Sequence, residues 1–322
     1  MSAAILGIDI AKKKFDVALY TCGKYKHKSV ANTQAGFEAL SAWLSKNEIS
    51  KVHACMEATG PFWEALATYL HDANHVVSVV NPARIKAFGE SELSRTKTDK
   101  ADAKLIARFC EAMKPGPWQP DPVEIRALQA LGRRRDALIA MRTQELNRDA
   151  STDPIVNSSI QSVLAFLNQE IEQITELIKE HIDNHPDLKH KRDLLKTIPG
   201  VGDKAAEAVL SEFNGFENFE RIEQVVAYMG LSPKEKSSGS SVRGKSQICK
   251  MGNARLRKSL FMPALAASQW NPAVKALYDR LKAKSKNGMI IACACMKKLV
   301  HLMFGVVKNN KPFDPDFHLK TA

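Results

Sequence analysis

The run Ala4-Ile5-Leu6-Gly7-Ile8-Asp9-Ile10-Ala11-Lys12 constrains this chain more than any other stretch. Its Ile and Leu content suits a buried strand, and an ionised carboxylate in the middle of such a strand costs free energy unless a cation or a set of donors meets it. Successive strand residues point to opposite faces, so an Asp9 on the solvent side of a half-buried strand is the plain structural alternative. Carboxylates that recur at the ends of later elements weigh against it. Converging acids of that kind make a metal site suited to phosphodiester chemistry.

The stretch after Asp9 alternates strands and helices. Phe15-Asp16-Val17-Ala18-Leu19-Tyr20 reads as a hairpin partner, and Lys24 to Val30 as a third, more polar strand. A helix starts at Asn32-Thr33 with Phe37, Leu40 and Leu44 on one face. Val52, Ala54 and Met56 alternate along a strand ending at Glu57-Ala58-Thr59-Gly60-Pro61. A helix from Phe62 to Ala73 and a strand over Val76–Val80, closed by Asn81-Pro82, follow. Three meandering strands and then helix-connected strands is the order of a ribonuclease H-like mixed sheet flanked by helices. Sugar-kinase and actin-like ATPases share that order, so it does not decide function.

Glu57 falls at the C-terminal end of its strand, where open α/β sheets place their sites. Asp99 and Asp102 stand three residues apart at the start of a helix running to about Met113, on one side of it. Acids in a first helical turn also serve as caps and complement the helix dipole. With Asp9 and Glu57 they make a set of hard oxygen ligands for Mg²⁺ or Mn²⁺.

Lys114-Pro115-Gly116-Pro117-Trp118-Gln119-Pro120-Asp121-Pro122 cannot continue a helix and reads as a linker. A long helix from Val123 to about Ala150 carries Arg133-Arg134-Arg135, and residues 151–159 read as a polar connection. Ile160, Leu164, Leu167, Ile171, Ile174 and Ile178 form a heptad seam, which either folds back on the preceding helix or pairs with another subunit. Leu194 to Ala206, with its Pro199-Gly200-Val201-Gly202 turn, has the pattern of a helix-hairpin-helix. There Gly200 and Gly202 let backbone amides approach a phosphate, with Lys204 beside them. Beyond another apolar helix over Val225–Met229, a hydroxyl-rich loop over residues 234–246 leads into the basic segment around Lys250, Arg255 and Arg257. Its lack of acids after Glu235 marks it as a nucleic-acid loop. Apolar helices Leu256 to Ala267 and Met289 to Val307 complete a small helical domain.

A formal net charge of +12 over 322 residues favours polyanionic partners. No apolar run approaches the ~20 residues of a spanning helix and no signal peptide is evident, so the expected location is cytosolic or nucleoid-associated, with no membrane partner. The six cysteines are scattered without zinc or disulfide spacing.

Gly7-Ile8-Asp9-Ile10-Ala11-Lys12, Met56-Glu57-Ala58-Thr59-Gly60, Lys97-Thr98-Asp99-Lys100-Ala101-Asp102-Ala103, Ile198-Pro199-Gly200-Val201-Gly202 and Ser238-Gly239-Ser240-Ser241-Val242-Arg243-Gly244 occur in this order over nearly the whole chain. Together they resemble the DEDD insertion-sequence transposases of the "one-ten" family, relatives of pilin-gene invertases. The resemblance implies a ribonuclease H-like (RuvC-like) domain over residues 1–118 that holds Mg²⁺ through Asp9, Glu57, Asp99 and Asp102. It implies a coiled-coil middle over 119–190 and a helical C-terminal transposase domain over 191–322 with a helix-hairpin-helix and a nucleophilic serine. Motif position places that serine at Ser238, with Ser240 and Ser241 close by. Implied too are a bridge RNA pairing with donor and target DNA, and a homo-oligomer, a dimer assembling into a tetramer. The coiled coil then gives one subunit's serine a route to another's metals. Gly200, Gly202, Lys204, Arg243, Lys245, Lys250, Arg255 and Arg257 are the expected nucleic-acid contacts.

Three other readings are distinguishable. A metal-dependent junction-resolvase-like nuclease would need only the acids and attack with water. An actin-like kinase would need a second strand-Asp-x-Gly phosphate turn, which the sequence lacks. A purely structural nucleic-acid binder would be indifferent to chelators.

Overall fold

The computed structural model describes residues 4–92, 98–149, 153–234, 237–238, 242–243, 247–249 and 251–316. The chain divides into two compact units, Met1–Pro120 and Asp121–Ala322.

The first unit is built on a five-stranded sheet: β1(Ala4–Ile10), β2(Lys14–Thr21), β3(Lys24–Ala31), β4(Val52–Glu57) and β5(Val76–Val80), in spatial order β3-β2-β1-β4-β5. β2 runs antiparallel to both of its neighbours, whereas β1, β4 and β5 are mutually parallel. Alternation sorts the side chains. Leu6, Ile8 and Ile10 join Phe15, Val17, Ala54 and Met56 in a core covered by α1(Gln34–Lys46) and α2(Glu64–Asp72), through Leu40, Leu44, Leu66 and Leu70. On the other face Cys55 and Val80 pack with α3(Pro82–Ser91) and α4(Asp99–Met113), through Ile85, Ile106, Phe109 and Cys110.

α3 departs from the sequence expectation. Asn81-Pro82 does not merely close β5: Asn81 caps a helix by accepting from Ala83 N, and Pro82 fills the first turn, where no amide is needed. The linker after α4 runs back along the sheet, with Trp118 N donating to Val77 O at 2.6 Å.

α4 approaches β1 closely at Gly7. A Cβ there would collide with the backbone carbonyl of Ala103 and the backbone amide of Ala107, so only glycine lets this helix lie on this strand. The residues α4 presents are correspondingly small, Ala103 and Ala107 packing with Ala18.

The second unit is helical apart from two short strand pairs. α5(Val123–Asp149) and α6(Pro154–Asp183) form an antiparallel hairpin. The heptad seam thus folds back within the chain, with Ile160, Leu164, Leu167 and Ile178 buried. α6 begins inside the stretch expected to be a polar connection, because Asp153 accepts from Ile155 N and Pro154 takes the first position. α7(Pro186–Lys196), α8(Asp203–Phe213), α9(Ile222–Tyr228), α10(Ala254–Trp270), α11(Pro272–Ala283) and α12(Gly288–Asn309) share one core with the base of α5 and the end of α6. α11 lies between the two apolar helices expected at this end, where Asn271 caps it.

α12 corrects the expectation that no apolar run approaches a span: it is 22 residues long, and its most apolar 18-residue stretch has mean hydropathy 1.8. Its face of Ile291, Cys295, Leu299, Val300 and Met303 is buried in the second core, and Lys297 and Lys298 interrupt it. The hydroxyl-rich segment is tied by β6(Pro233–Lys234) with β9(Gln247–Ile248) and by β7(Ser237–Ser238) with β8(Val242–Arg243), both antiparallel.

Gly7→Ala is expected to destabilise the first unit by about 3 kcal/mol, the upper end for overpacking, because backbone blocks the new methyl on both sides. Gly116→Ala, which meets nothing within 4 Å, should stay within about 0.5 kcal/mol of the parent in denaturant titration.

Candidate active site

Alternation along β1 puts Asp9 on the face of Gly7, the face that α4 covers. β1 and β4 are parallel with Ile8 beside Met56, so Asp9 and Glu57 both occupy the C-terminal ends of neighbouring strands. α4 runs antiparallel to β1 and brings its first turn, with Asp99 and Asp102, to that same edge. Neither acid caps the helix. Thr98 does, accepting from Ala101 N at 3.2 Å, so capping does not account for Asp99 or Asp102.

The charges register one another. Asp9 is pushed up to about 6, first by burial and then by Asp102, Asp99, Glu57 and Asp16. Asp16 is the acid that the sequence reading passed over. It pairs directly with Asp9 across the β1–β2 ladder, and the hairpin register, centred on Lys12-Lys13, was the signal that could have found it.

Lys14 sits among these acids, its Nζ 2.7 Å from Asp99 Oδ2 and 3.1 Å from Asp16 Oδ2. Those bonds push the ammonium up to about 12, and in return Lys14 holds the Asp99 carboxyl below its ordinary range. Glu57 Oε1 accepts from Thr59 Oγ1 at 2.7 Å.

The donor set suits a hard divalent cation: carboxylate oxygens only, one of them driven toward its neutral form by burial and surrounding negative charge. Among the described residues no three His, Cys, Asp or Glu side chains are closed around a single point. Like charges without a cation between them are expected to stay apart in this way.

The other expected contacts belong to the second unit. Gly200, at φ +97°, faces α10, where a Cβ would meet Ala267 N and Cα at 2.6 and 2.7 Å. Helix packing therefore requires glycine at this position. Gly202 precedes α8 and is open, with nothing within 4 Å of where a Cβ would be. Lys204 is exposed on the first turn of α8, and Lys196 pairs with Asp203 at 2.7 Å.

The backbones of Ser238 and Arg243 lie in β7 and β8. Ser240, Ser241, Lys245 and Lys250 lie outside the described residues. Arg255 and Arg257 are engaged by the protein itself. Arg255 bonds Asp136 and Glu212, and Arg257 donates to Met229 O at 2.7 Å and Gly252 O at 3.2 Å.

A family model described as a transposase matches residues 6–152, and one described as transposase, IS116/IS110/IS902 family, matches residues 192–279. The pilin gene-inverting protein of Moraxella bovis is 34% identical over 99% of this chain and the whole of that protein, and that of Moraxella lacunata matches equally. The transposase for insertion sequence element IS1111A of Coxiella burnetii is 27% identical over 81% of this chain and 77% of that protein.

A carboxyl raised from its ordinary 3.8 to about 6 by folding favours the folded state only while protonated. Metal-free protein should therefore lose stability as pH rises from about 4 through 6. Asp9→Asn mimics the neutral form, so in chelator at pH 7 it is expected to raise Tm by a few degrees, the gain vanishing at pH 4. Added Mg²⁺ should raise Tm of the parent at pH 7 and leave Asp9→Asn unmoved. Calorimetry across that pH range, with and without the ion, measures both.

Proposed function

The chain belongs to the IS116/IS110/IS902 family of transposases, and on that premise we propose that it is the bridge-RNA-guided recombinase of an insertion sequence, cutting and rejoining DNA through a serine nucleophile assisted by metal-bound carboxylates. The observation that carries this reading is the gathering of Asp9, Glu57, Asp99 and Asp102 at one sheet edge, where burial and then the neighbouring negative charge raise Asp9.

The first unit is a ribonuclease H-like, RuvC-like nuclease domain. Its strand order, β2 alone reversed, and its helices on both faces support that assignment. Asp9, Glu57, Asp99 and Asp102 hold Mg²⁺, with Mn²⁺ chemically equivalent. The bound ion supplies charge stabilisation at the attacked phosphate. Lys14 holds the Asp99 carboxyl below its ordinary range, so Asp99 stays ionised for the ion.

Ser238 Oγ attacks phosphorus and loses its proton to a carboxylate or water. The bond from phosphorus to one bridging oxygen breaks, leaving a serine phosphodiester and a free sugar hydroxyl. Rejoining reverses the step, with the hydroxyl of the new partner strand displacing serine. Because the phosphodiester is conserved in the intermediate, resealing needs no nucleotide cofactor. Lys204, Arg243, Lys245 and Lys250, with the open backbone at Gly202, hold phosphates of donor DNA, target DNA and a bridge RNA that pairs with both. The net charge of +12 supports this.

The working form is a homo-oligomer, a dimer assembling into a tetramer, acting on nucleoid DNA in the bacterial cytoplasm. The outward stripe of α6, with Val156, Val163, Phe166 and Leu177 exposed, supports association between copies.

The test uses the full chain with its copurifying RNA, Mg²⁺ and end-labelled duplex of the element's terminus, resolved on denaturing gels. The parent should yield a covalent protein–DNA adduct, Asp99→Ala should slow it about 100-fold, and Ser238→Ala or chelator should abolish it. An adduct that survives in Ser238→Ala moves the nucleophile to Ser240 or Ser241. Cleavage with no adduct in any protein makes this a water-using nuclease instead. Sequencing the copurifying RNA should return one species complementary to both DNA partners; heterogeneous cellular RNA would remove the guide from the proposal.

A further inference from the structure

The two ends of the segment from Ser232 to Asn253 are tied near one place in the second unit. Ser232 O accepts from Cys249 N at 2.8 Å, and β6 pairs with β9 just inside that bond. At the far end Asn253 N donates to Tyr228 O at 2.8 Å, and Gly252 lies so close to Tyr228 and Gly230 that a Cβ would strike their backbone. Both roots of the segment carrying Ser238 are thus fastened to the end of α9.

A second set of contacts fastens the exit root from the side. Asn253 caps α10 by accepting from Leu256 N at 3.1 Å, and its Nδ2 donates to Glu212 Oε2 at 2.5 Å. The other oxygen of Glu212 takes Nη1 of Arg255, whose Nε bonds Asp136 Oδ2 at 2.6 Å. Arg255 therefore bridges α5, α8 and the start of α10, its side chain only 25% exposed. Room for it is built into α5: a Cβ on Gly132 would lie 2.5 Å from Arg255 Nη2. One turn along, Arg135 makes a two-pronged bond to Glu207 at 2.6 and 2.8 Å, both side chains buried, which ties α5 to α8. Asp136 and Glu212 thus stand on helices locked to each other.

Arg255 has already spent its charge on two carboxylates. A phosphate would have to displace them, and a guanidinium held by two fixed acids is poorly placed for that. We propose that Arg255, with Asp136 and Glu212, is a positioning residue for the recombination step. Its guanidinium fixes the exit root of the Ser238 segment instead of binding nucleic acid. This inference rests on Ser238 being the nucleophile for its chemical readout, and on the root alone for its structural one.

Neutralising the acids separates a strut from a phosphate contact. If Arg255 is a strut, Arg255→Ala, Asp136→Asn and Glu212→Gln share one defect: adduct formation at saturating DNA slows about 10- to 100-fold. Affinity for random duplex stays within about twofold, and the salt dependence of binding is unchanged. Arg255→Lys recovers part of the rate. Gly132→Ala, whose new methyl would press chiefly on the Arg255 guanidinium, reproduces a milder loss in a helix that tolerates alanine. If Arg255 instead binds a phosphate, Arg255→Ala weakens binding and lowers the salt slope by about 1, whereas Asp136→Asn and Glu212→Gln free the guanidinium and tighten binding. That result overturns the proposal.

Hydrogen exchange at Cys249 N reads the root without any chemistry. Should the parent form no serine adduct, faster exchange there in Arg255→Ala and Glu212→Gln still supports the strut, and unchanged exchange refutes it.

Discussion

The backbone contact between α4 and β1 at Gly7 is the constraint on which the candidate site depends. Two of the four acids are carried by strands and two by a helix, and nothing in the order of the chain brings them together. What does is a helix laid antiparallel on the central strand, close enough that its Ala103 and Ala107 backbone touches Gly7. Interiors are packed too densely for such a helix to drift. A larger residue at position 7 would lift α4 from the sheet and carry Asp99 and Asp102 away from Asp9 and Glu57.

That geometry concentrates charge at a cost to stability. Asp9 faces Asp16 across the ladder and feels Asp99, Asp102 and Glu57, while Lys14 is the cation bonded within this group of described residues. Folding alone would favour fewer acids here, since Asp9 in its ionised form opposes the folded state. A cation bound among these carboxylates would offset that cost, because it favours the ionised form that burial opposes.

How much of this was legible follows from which interactions are local. The five strands and the Pro-Gly linker are written in a few adjacent residues and lie within a residue or two of where the pattern put them, whereas the cap of α4 is Thr98 and not one of the acids the sequence offered. Asn81-Pro82 and Asp153-Pro154 misled because a cap followed by proline reads equally as a turn; only the helix beyond decides. Asp16 was hidden for another reason: its role comes from strand register, which a list of apolar positions does not contain. The basic residues near α10 were hardest. Arg255 looks like a phosphate ligand in a segment without acids, yet Asp136 lies 119 residues before it and Glu212 lies 43 before it. Charge reads as available in sequence until the fold supplies its partner.

The two units put acidic side chains to opposite uses, and the contrast follows from their partners. In the second unit Glu207, Glu212 and Asp136 are matched by Arg135 and Arg255, whose planar forks satisfy carboxylate oxygens two at a time, so the acids act as fasteners. In the first unit Lys14 supplies a single flexible ammonium between Asp16 and Asp99. A lysine is displaced more readily than a forked arginine because its charge is a hydrated point on a long stem. A chain with a net charge of +12 has basic residues to spare, so the acidity around Asp9 is not a shortage of cations in the sequence. Among the described residues it is met by Lys14, whose ammonium a divalent ion can replace.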